Sequence, residues 1–283
     1  MTDASAPAQA AASPHFTVIM RACDKVACVH NVARPFGLTK LETIKVCLYS
    51  LIRSLDGVSH SLRIIGDSLS EDAVRFIEAF PQISLRQENF LDPEKTLSLQ
   101  IETGLKEPDD AWVYFCEDDY LHTRGCFDSI RDLVSNRDAI LDTQGGKRNW
   151  LTRLGGNVKA RPLFVFPSDY PDRYLPRDRR PAFVFAAKSE HWRQISHTTH
   201  TFMAEAKTLR RFQDALRQSI PGCRDGLLSR RIYGGVLGRD KALCLSPLPG
   251  LSAHFTEGVM PPYVDWRAEV ERNRRELVER GLW

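Results

Sequence analysis

Short apolar runs alternate with segments of helical periodicity in the first 124 residues. The runs that predict strands lie at 16–20, 62–65, 83–85 and 111–116. Apolar residues recur at the spacing of a helix face over 40–54, 70–80 and 96–105. Thr39 followed by Glu42 resembles a capping box at the start of the first of these helices. This alternation predicts an α/β fold with a mainly parallel sheet flanked by helices.

The pattern is less regular after residue 124. It predicts helices over 125–137, 189–196, 204–218 and 225–233, and strands at 182–186 and 242–245. A charged amphipathic helix is predicted over 264–280. Its acids nearly balance its bases, which favours a packing or oligomer role over a membrane-surface role. The polar, Pro-rich segment at 166–180 is predicted to order as a lid over a bound substrate.

Composition narrows the classes of function. The 283 residues carry 39 basic and 36 acidic side chains, and this balance gives no support for a nucleic-acid partner. The seven cysteines lack the paired spacing of a zinc site, which favours a reducing cytoplasm. The sequence contains no apolar stretch long enough to span a bilayer. We therefore expect a cytoplasmic protein with a disordered tail over 1–15.

Three consecutive acids follow the fourth predicted strand: Glu117, Asp118 and Asp119. Three adjacent carboxylates repel one another unless a cation lies between them. Ligands of open α/β sheets bind outside the carboxyl ends of the strands. The triplet therefore predicts a divalent metal site that also holds phosphates, and a solvated acidic turn is the alternative.

Other polar residues follow further predicted strands or begin predicted helices. Arg21 and Asp24 follow the first strand, Asp67 follows the second, and His254 lies after a Pro-rich loop. Each has an ordinary structural alternative, such as an ion pair for Arg21 and a turn for Asp67. The histidines at 191, 197 and 200 lack an acidic partner at helical spacing, so a polar connection or an acceptor contact is favoured over zinc.

Together these features resemble the nucleotide-sugar-dependent glycosyltransferases of the GT-A fold, most nearly the family 2 type. The triplet matches their Asp-X-Asp-like motif, apart from the glutamate at its first position. The segment at 224–231, followed by Tyr-Gly-Gly, matches their acceptor-site motif, although Arg224 stands where an acid is common. His254 matches the late histidine that often completes the metal shell.

The resemblance implies a role for each candidate residue. The implied metal ligands are Asp119 and His254, and an imidazole ligand suits Mn²⁺ better than Mg²⁺. Nucleotide binding falls to five residues: Arg21 at the diphosphate, Asp24 and Asp67 at the nucleobase and ribose, and Glu117 and Asp118 at the ribose or a metal-bound water.

Transfer to an alcohol needs a general base. Asp225 is the first candidate, with an N-cap role as its alternative. Glu190 is the second candidate, with a capping-box-like role at a helix start as its alternative.

The resemblance further implies a donor half over 16–124, an acceptor-binding half over 125–263 and a C-terminal helix over 264–283. The expected reaction moves a sugar from a nucleoside-diphosphate donor to a glycan or lipid-linked glycan of a surface polysaccharide, with inversion. Contact with the inner face of the membrane and assembly with a second copy are further expectations. Two other classes stay open: a metal-dependent phosphoesterase or nucleotidyltransferase, and a non-catalytic nucleotide-binding module.

Overall fold

The computed structural model describes residues 13–25, 34–142, 158–174, 183–234 and 241–283. The expectations for the tail before residue 13 and for the 175–180 part of the lid lie outside these residues. The strands are β1 (Phe16–Ala22), β2 (His60–Asp67), β3 (Ile83–Glu88), β4 (Trp112–Glu117), β5 (Tyr120–His122), β6 (Leu163–Val165), β7 (Val184–Ala186), β8 (His191–Ile195), β9 (Phe202–Glu205), β10 (Leu243–Leu248) and β11 (Ser252–His254).

The α-helices are α1 (Lys40–Ser54), α2 (Glu71–Glu78), α3 (Pro93–Gly104), α4 (Cys126–Ser135), α5 (Arg137–Asp142), α6 (Ala206–Arg211), α7 (Gln213–Ser219), α8 (Asp225–Tyr233) and α9 (Trp266–Glu279). The predicted capping box is present at the start of α1. Thr39 Oγ1 accepts from the amide of Glu42 at 3.2 Å, and Glu42 Oε2 accepts from the amide of Thr39 at 2.8 Å.

One nine-stranded sheet runs through the molecule in the order β3-β2-β1-β4-β9-β6-β10-β8-β7. The first four strands are parallel, with α1, α2 and α3 as the helices that connect them. Their carboxyl ends therefore meet at one edge, where Arg21 of β1 lies opposite Glu117 of β4. The α/β fold class that the sequence predicted is confirmed.

The second half of the sheet is mixed. β9 runs antiparallel to both β4 and β6, β10 is parallel to β6, and β7 and β8 form an antiparallel edge. Outside this sheet, β5 pairs with β11, so His254 lies opposite Tyr120. That small ribbon brings the late histidine back to the end of β4.

Two predicted helices are corrected. The segment at 189–196 contains β8, because its backbone pairs with β10 and buries Trp192. The predicted helix at 204–218 begins as the central strand β9 and then continues as α6 and α7. Pairing with distant strands outweighs local helical spacing in both segments.

Helices α3 and α9 hold together the elements around the sheet edge where Arg21 and Glu117 lie. Gln100 of α3 donates from Nε2 to the carbonyl oxygens of Ile19 and Cys116, at 2.7 and 3.0 Å, and so joins β1 to β4. Helix α9 packs against α1, where Tyr49 Oη donates to Glu276 at 2.8 Å, which agrees with a packing role. The helices within the described residues are all too short or too polar to cross a bilayer.

Candidate functional site

The acidic triplet lies at the carboxyl end of β4, where Glu117 closes the strand and the two aspartates form the turn into β5. Each carboxylate lies near a different side-chain cation: Arg21 Nη2 is 2.5 Å from Glu117 Oε1, Lys40 Nζ is 2.6 Å from Asp118 Oδ1, and Arg34 Nη1 is 3.6 Å from Asp119 Oδ2. These cations offset the repulsion that the sequence interpretation assigned to a metal.

Arg21 and Lys40 stay charged despite their burial. Desolvation acts to lower the pKa of Arg21, but the negative charge of Glu117 outweighs it and the pKa is raised. The pKa of Lys40 is also raised, because the charges of Asp118 and Asp119 outweigh the desolvation that acts to lower it. The edge therefore combines fixed positive and negative charge.

Asp119 is the acid of the triplet that has a carboxylate oxygen without a hydrogen-bond partner among the described residues. Its Oδ2 lies 3.4 Å from Nε2 of His254, whereas its Oδ1 is buried and has no hydrogen-bond partner among the described residues. Burial acts to raise the pKa of Asp119, but the hydrogen bond and charge of His254, with the charges of Lys40 and Arg34, hold it well below its usual range. The carboxylate is ionised.

Two tyrosines fix the ring of His254. Tyr120 stacks on it with ring centroids 5.0 Å apart and an interplanar angle of 1°. Nδ1 of His254 lies 3.0 Å from Tyr170 Oη, which in turn lies 2.9 Å from Tyr120 Oη. This arrangement turns Nε2 toward Asp119, as in metal sites whose histidine is oriented by a second hydrogen bond.

Asp119 and His254 fit a divalent cation as a two-residue donor set, because a buried carboxylate oxygen without a partner lies beside an oriented imidazole. The described residues contain no group of three or more His, Cys, Asp or Glu side chains arranged as a metal site. A cation held here would take its remaining ligands from phosphates and water, as nucleotide-bound cations do.

Glu117 and Asp118 are tied to neighbouring elements. Glu117 Oε2 accepts from Thr201 Oγ1 at 3.1 Å, in addition to its ion pair with Arg21. Asp118 Oδ2 accepts from the amide of Cys23 at 3.0 Å. These contacts place both carboxylates beside β1 and the start of β9.

Asp225 lies close to the triplet through β9. Its Oδ1 is 2.5 Å from Nδ1 of His200, and the next residue, Thr201, binds Glu117. The N-cap of α8 is Arg224, and Asp225 is the first residue inside the helix. The alternative role of Asp225 as the N-cap is therefore wrong. The Asp225 side chain is 36% exposed, so the carboxylate is accessible to an acceptor.

Glu190 does not join the other candidates. It lies in the turn between β7 and β8, four positions from β4 in the sheet order, or about 19 Å at the usual strand spacing. Its Oε1 accepts from Ser129 Oγ of α4 at 3.2 Å, and burial raises its pKa. The predicted helix start, on which its capping alternative depended, is absent because 191–195 is a strand.

Asp24 and Asp67 both bind backbone groups at the site edge. Asp24 accepts from the amide of Ser70 at 2.9 Å and from the Ser70 hydroxyl, which ties the end of β1 to the start of α2. Asp67 accepts from three consecutive amides and from the Thr96 hydroxyl at 2.9 Å: the donors are Phe90 at 2.8 Å, Leu91 at 2.9 Å and Asp92 at 3.2 Å. Contact of either acid with a nucleotide stays a prediction.

Five residues of the cluster were not among the sequence candidates: Arg34, Lys40, Tyr170, His200 and Thr201. Of these five, Lys40 could have been expected at the site from the sequence, since it follows the capping residue of a predicted helix that begins near the end of the first strand. His200 was noted only as part of a histidine group.

Comparisons with known proteins give only weak similarity. Family models and curated proteins give no match. S. aureus TarS 1-349 in complex with UDP is similar at 13% identity and a TM-score of 0.44, over 82% of this chain and 59% of that chain. The galactosyltransferase LgtC, in complex with donor and acceptor sugar analogues, is similar at 12% identity and a TM-score of 0.41, over 92% and 94%.

A synthetase of a different class is similar to the same degree. CMP:2-keto-3-deoxy-manno-octonic acid synthetase complexed with CTP has 12% identity and a TM-score of 0.40, over 94% of this chain and 99% of that chain. The chain thus spans about three fifths of TarS 1-349 and nearly all of the other two. At this level of similarity, substrate and mechanism have to be inferred from the residues of the chain itself.

Proposed function

We propose that the protein is a metal-dependent glycosyltransferase that moves a sugar from a nucleoside-diphosphate donor to a hydroxyl of a glycan or lipid-linked glycan acceptor. The observation that carries the proposal is the pairing of two groups at one sheet edge. Asp119 and His254 offer donors for a cation, and Asp225 is a partly exposed carboxylate that contacts His200, whose neighbour Thr201 binds Glu117 of the triplet. The Asp119–His254 pair suits a departing diphosphate, and the carboxylate of Asp225 suits an attacking alcohol.

The donor side has to stabilise a leaving group with growing negative charge. A divalent cation held by Asp119 and His254 would neutralise charge on the diphosphate oxygens. Arg34 and Lys40 lie at the same carboxylates and add fixed positive charge. Preorganised charge of this kind stabilises the transition state by several kcal/mol because it needs no reorganisation during the reaction.

The acceptor side needs a base within reach of a hydroxyl. Oδ1 of Asp225 is occupied by His200, so Oδ2 is the atom that takes the acceptor's proton. The acceptor oxygen then bonds to the anomeric carbon as the bond from that carbon to the diphosphate breaks. A single displacement of this kind inverts the anomeric configuration.

A phosphoesterase or nucleotidyltransferase using the same acids would need a second cluster of metal ligands or a Lys-bearing, Gly-rich phosphate loop early in the chain. The described ranges contain no group of three such ligands, and the first 60 residues of the sequence contain no Gly-rich stretch. Sugar transfer is favoured because Asp225 offers a partly exposed carboxylate for an acceptor hydroxyl. A non-catalytic nucleotide-binding module would bind the donor without turning it over. Membrane contact and self-assembly stay expectations from the family resemblance alone.

Calorimetric binding of UDP and GDP, with and without Mn²⁺, tests the metal and the donor site together. We expect Asp119→Ala to weaken Mn²⁺-dependent nucleotide binding roughly 100-fold, or about 2.7 kcal/mol, because it removes the carboxylate that holds the cation. Asp128→Ala is the matched control, since Asp128 is an exposed acid that pairs with Arg131 on α4. This control should bind as the wild type does.

The outcomes separate the alternatives. Nucleotide binding that ignores both Mn²⁺ and Asp119→Ala would contradict the metal role. Failure to bind any nucleoside diphosphate would contradict the donor class, and hydrolysis of phosphate esters would then favour the phosphoesterase. Donor binding without transfer to any acceptor would favour the non-catalytic module.

A further inference from the structure

His200 is a buried histidine whose two ring nitrogens both contact side chains. It is 3% exposed. Nδ1 lies 2.5 Å from Oδ1 of Asp225, and Nε2 lies 2.9 Å from Oγ of Ser219 on α7. Ser219 Oγ also lies 2.7 Å from the carbonyl oxygen of Leu216. A chain of close contacts therefore runs from the Leu216 carbonyl through Ser219 and His200 to the candidate base.

Counting protons along this chain fixes the role of Nδ1. A serine hydroxyl has one proton, which Ser219 gives either to Leu216 or to His200. In the first case Nε2 must donate to Ser219, and in the second case Nε2 accepts from it. If Asp225 is ionised, Nδ1 carries a proton in both cases, because a carboxylate oxygen 2.5 Å away cannot face the lone pair of an unprotonated nitrogen. In the first case both ring nitrogens then carry protons and the imidazole is a cation, whereas in the second case it is neutral.

We propose that His200 is a positioning residue that orients the carboxylate of Asp225 toward the acceptor hydroxyl. This inference rests on the proposed function, because it assigns the base of that reaction its partner. The contact with Nδ1 occupies Oδ1, restricts rotation of the carboxylate and leaves Oδ2 for the acceptor.

The step balances without a further reactant. The acceptor O–H proton moves to Oδ2 of Asp225, the acceptor oxygen bonds to the anomeric carbon, and the electrons of the broken bond leave with the diphosphate. The proton on Oδ2 is then released to water. His200 keeps its Nδ1 proton throughout, so it orients the base and does not itself take the acceptor's proton.

The kinetic test compares His200→Ala, His200→Asn and the control His191→Asn in the full-length protein. The amide of Asn occupies nearly the same place as Nδ1 and can still donate to Asp225, whereas Ala cannot. We expect His200→Ala to lower kcat roughly 100-fold with the KM for donor unchanged, and His200→Asn to stay within about tenfold of wild type.

His191→Asn is the matched control because His191 is an exposed histidine on β8. It should leave kcat and KM as in the wild type. Thermal unfolding of each variant separates lost folding from lost catalysis. A merely structural role for His200 would lower the amount of folded enzyme with kcat per folded molecule unchanged in both His200 variants, and that result would overturn the proposal.

A measurement that does not depend on turnover tests the pair itself. Proton NMR of ¹⁵N-histidine-labelled protein should show a hydrogen-bonded imidazole proton far downfield of the amides. That resonance should disappear in His200→Asn and Asp225→Ala and persist in His191→Asn. Its absence from the wild type would overturn the pairing. If the resonance is present but the protein transfers no sugar, the pairing stands and the proposed function is contradicted. The positioning role of His200 in that reaction is then contradicted as well.

Discussion

Asp225→Asn is expected to lower kcat for sugar transfer by about 10²- to 10⁴-fold, which is the usual contribution of a general base. An amide keeps the shape of the side chain but cannot take the acceptor's proton. Donor affinity should change less than about threefold, since the base acts on the acceptor and not on the nucleotide. Steady-state transfer assays with varied donor and acceptor, together with donor calorimetry, measure both quantities.

Two further variants make this result specific. Asp214→Asn makes the same change at an exposed acid on α7 and should leave kcat as in the wild type. Glu190→Gln should also change kcat less than about twofold, because Glu190 contacts α4 and lies about 19 Å along the sheet from β4. A large loss in Glu190→Gln with none in Asp225→Asn would reverse the assignment of the base.

The parallel half of the fold was predictable because its buried strands β1, β2 and β4 each carry an apolar run, and the more exposed edge strand β3 begins with two apolar residues in alternation. The predicted runs at 16–20, 62–65, 83–85 and 111–116 lie within three residues of β1 to β4 at each end. Helix α1 was equally clear, since its capping box and apolar spacing are both local signals. Local pattern and tertiary packing agree in this half.

The mixed half was harder because partners distant in sequence decide its strands. Trp192 and Ile195 have a spacing that suits a helix face, but pairing with β10 makes their segment a strand. β9 is only four residues long, and its central place between β4 and β6 depends on both neighbours. Such pairings leave little trace in a short stretch of sequence.

The acids of the site were visible in the sequence, whereas their partners were not. Glu117, Asp118 and Asp119 follow a clear strand, so their place at the sheet edge could be expected. Lys40 and Asp118 are 78 residues apart, and the crossover helix α1 brings them to 2.6 Å. His200 and Asp225 likewise meet only because β9 and α8 converge. Because Arg21, Arg34 and Lys40 lie at the triplet, charge balance alone does not require a metal there, and the metal stays a prediction.

Asp67→Ala is expected to lower the free energy of unfolding by about 3 kcal/mol or more, because it leaves several buried donors without a partner. Asp67 is 3% exposed and accepts from the amides of Phe90, Leu91 and Asp92. Asp67→Asn should also destabilise the protein, since its NH₂ group would face donors on one side. Urea unfolding measures both variants, and Asp56→Ala, an exposed acid paired with Arg53, is the control.

The pH dependence of this loss identifies its cause. Burial acts to raise the pKa of Asp67, but the hydrogen bonds from Leu91, Thr96, Asp92 and Phe90 outweigh it and lower the pKa. A depressed carboxyl pKa stabilises the fold fully above the unfolded value of about 4, and the contribution is lost as pH falls through the folded value. The stability gap between wild type and Asp67→Ala should therefore be constant near neutrality and narrow below about pH 4. A gap that stays constant down to pH 2 would show that the charge of Asp67 does not stabilise the loop before α3.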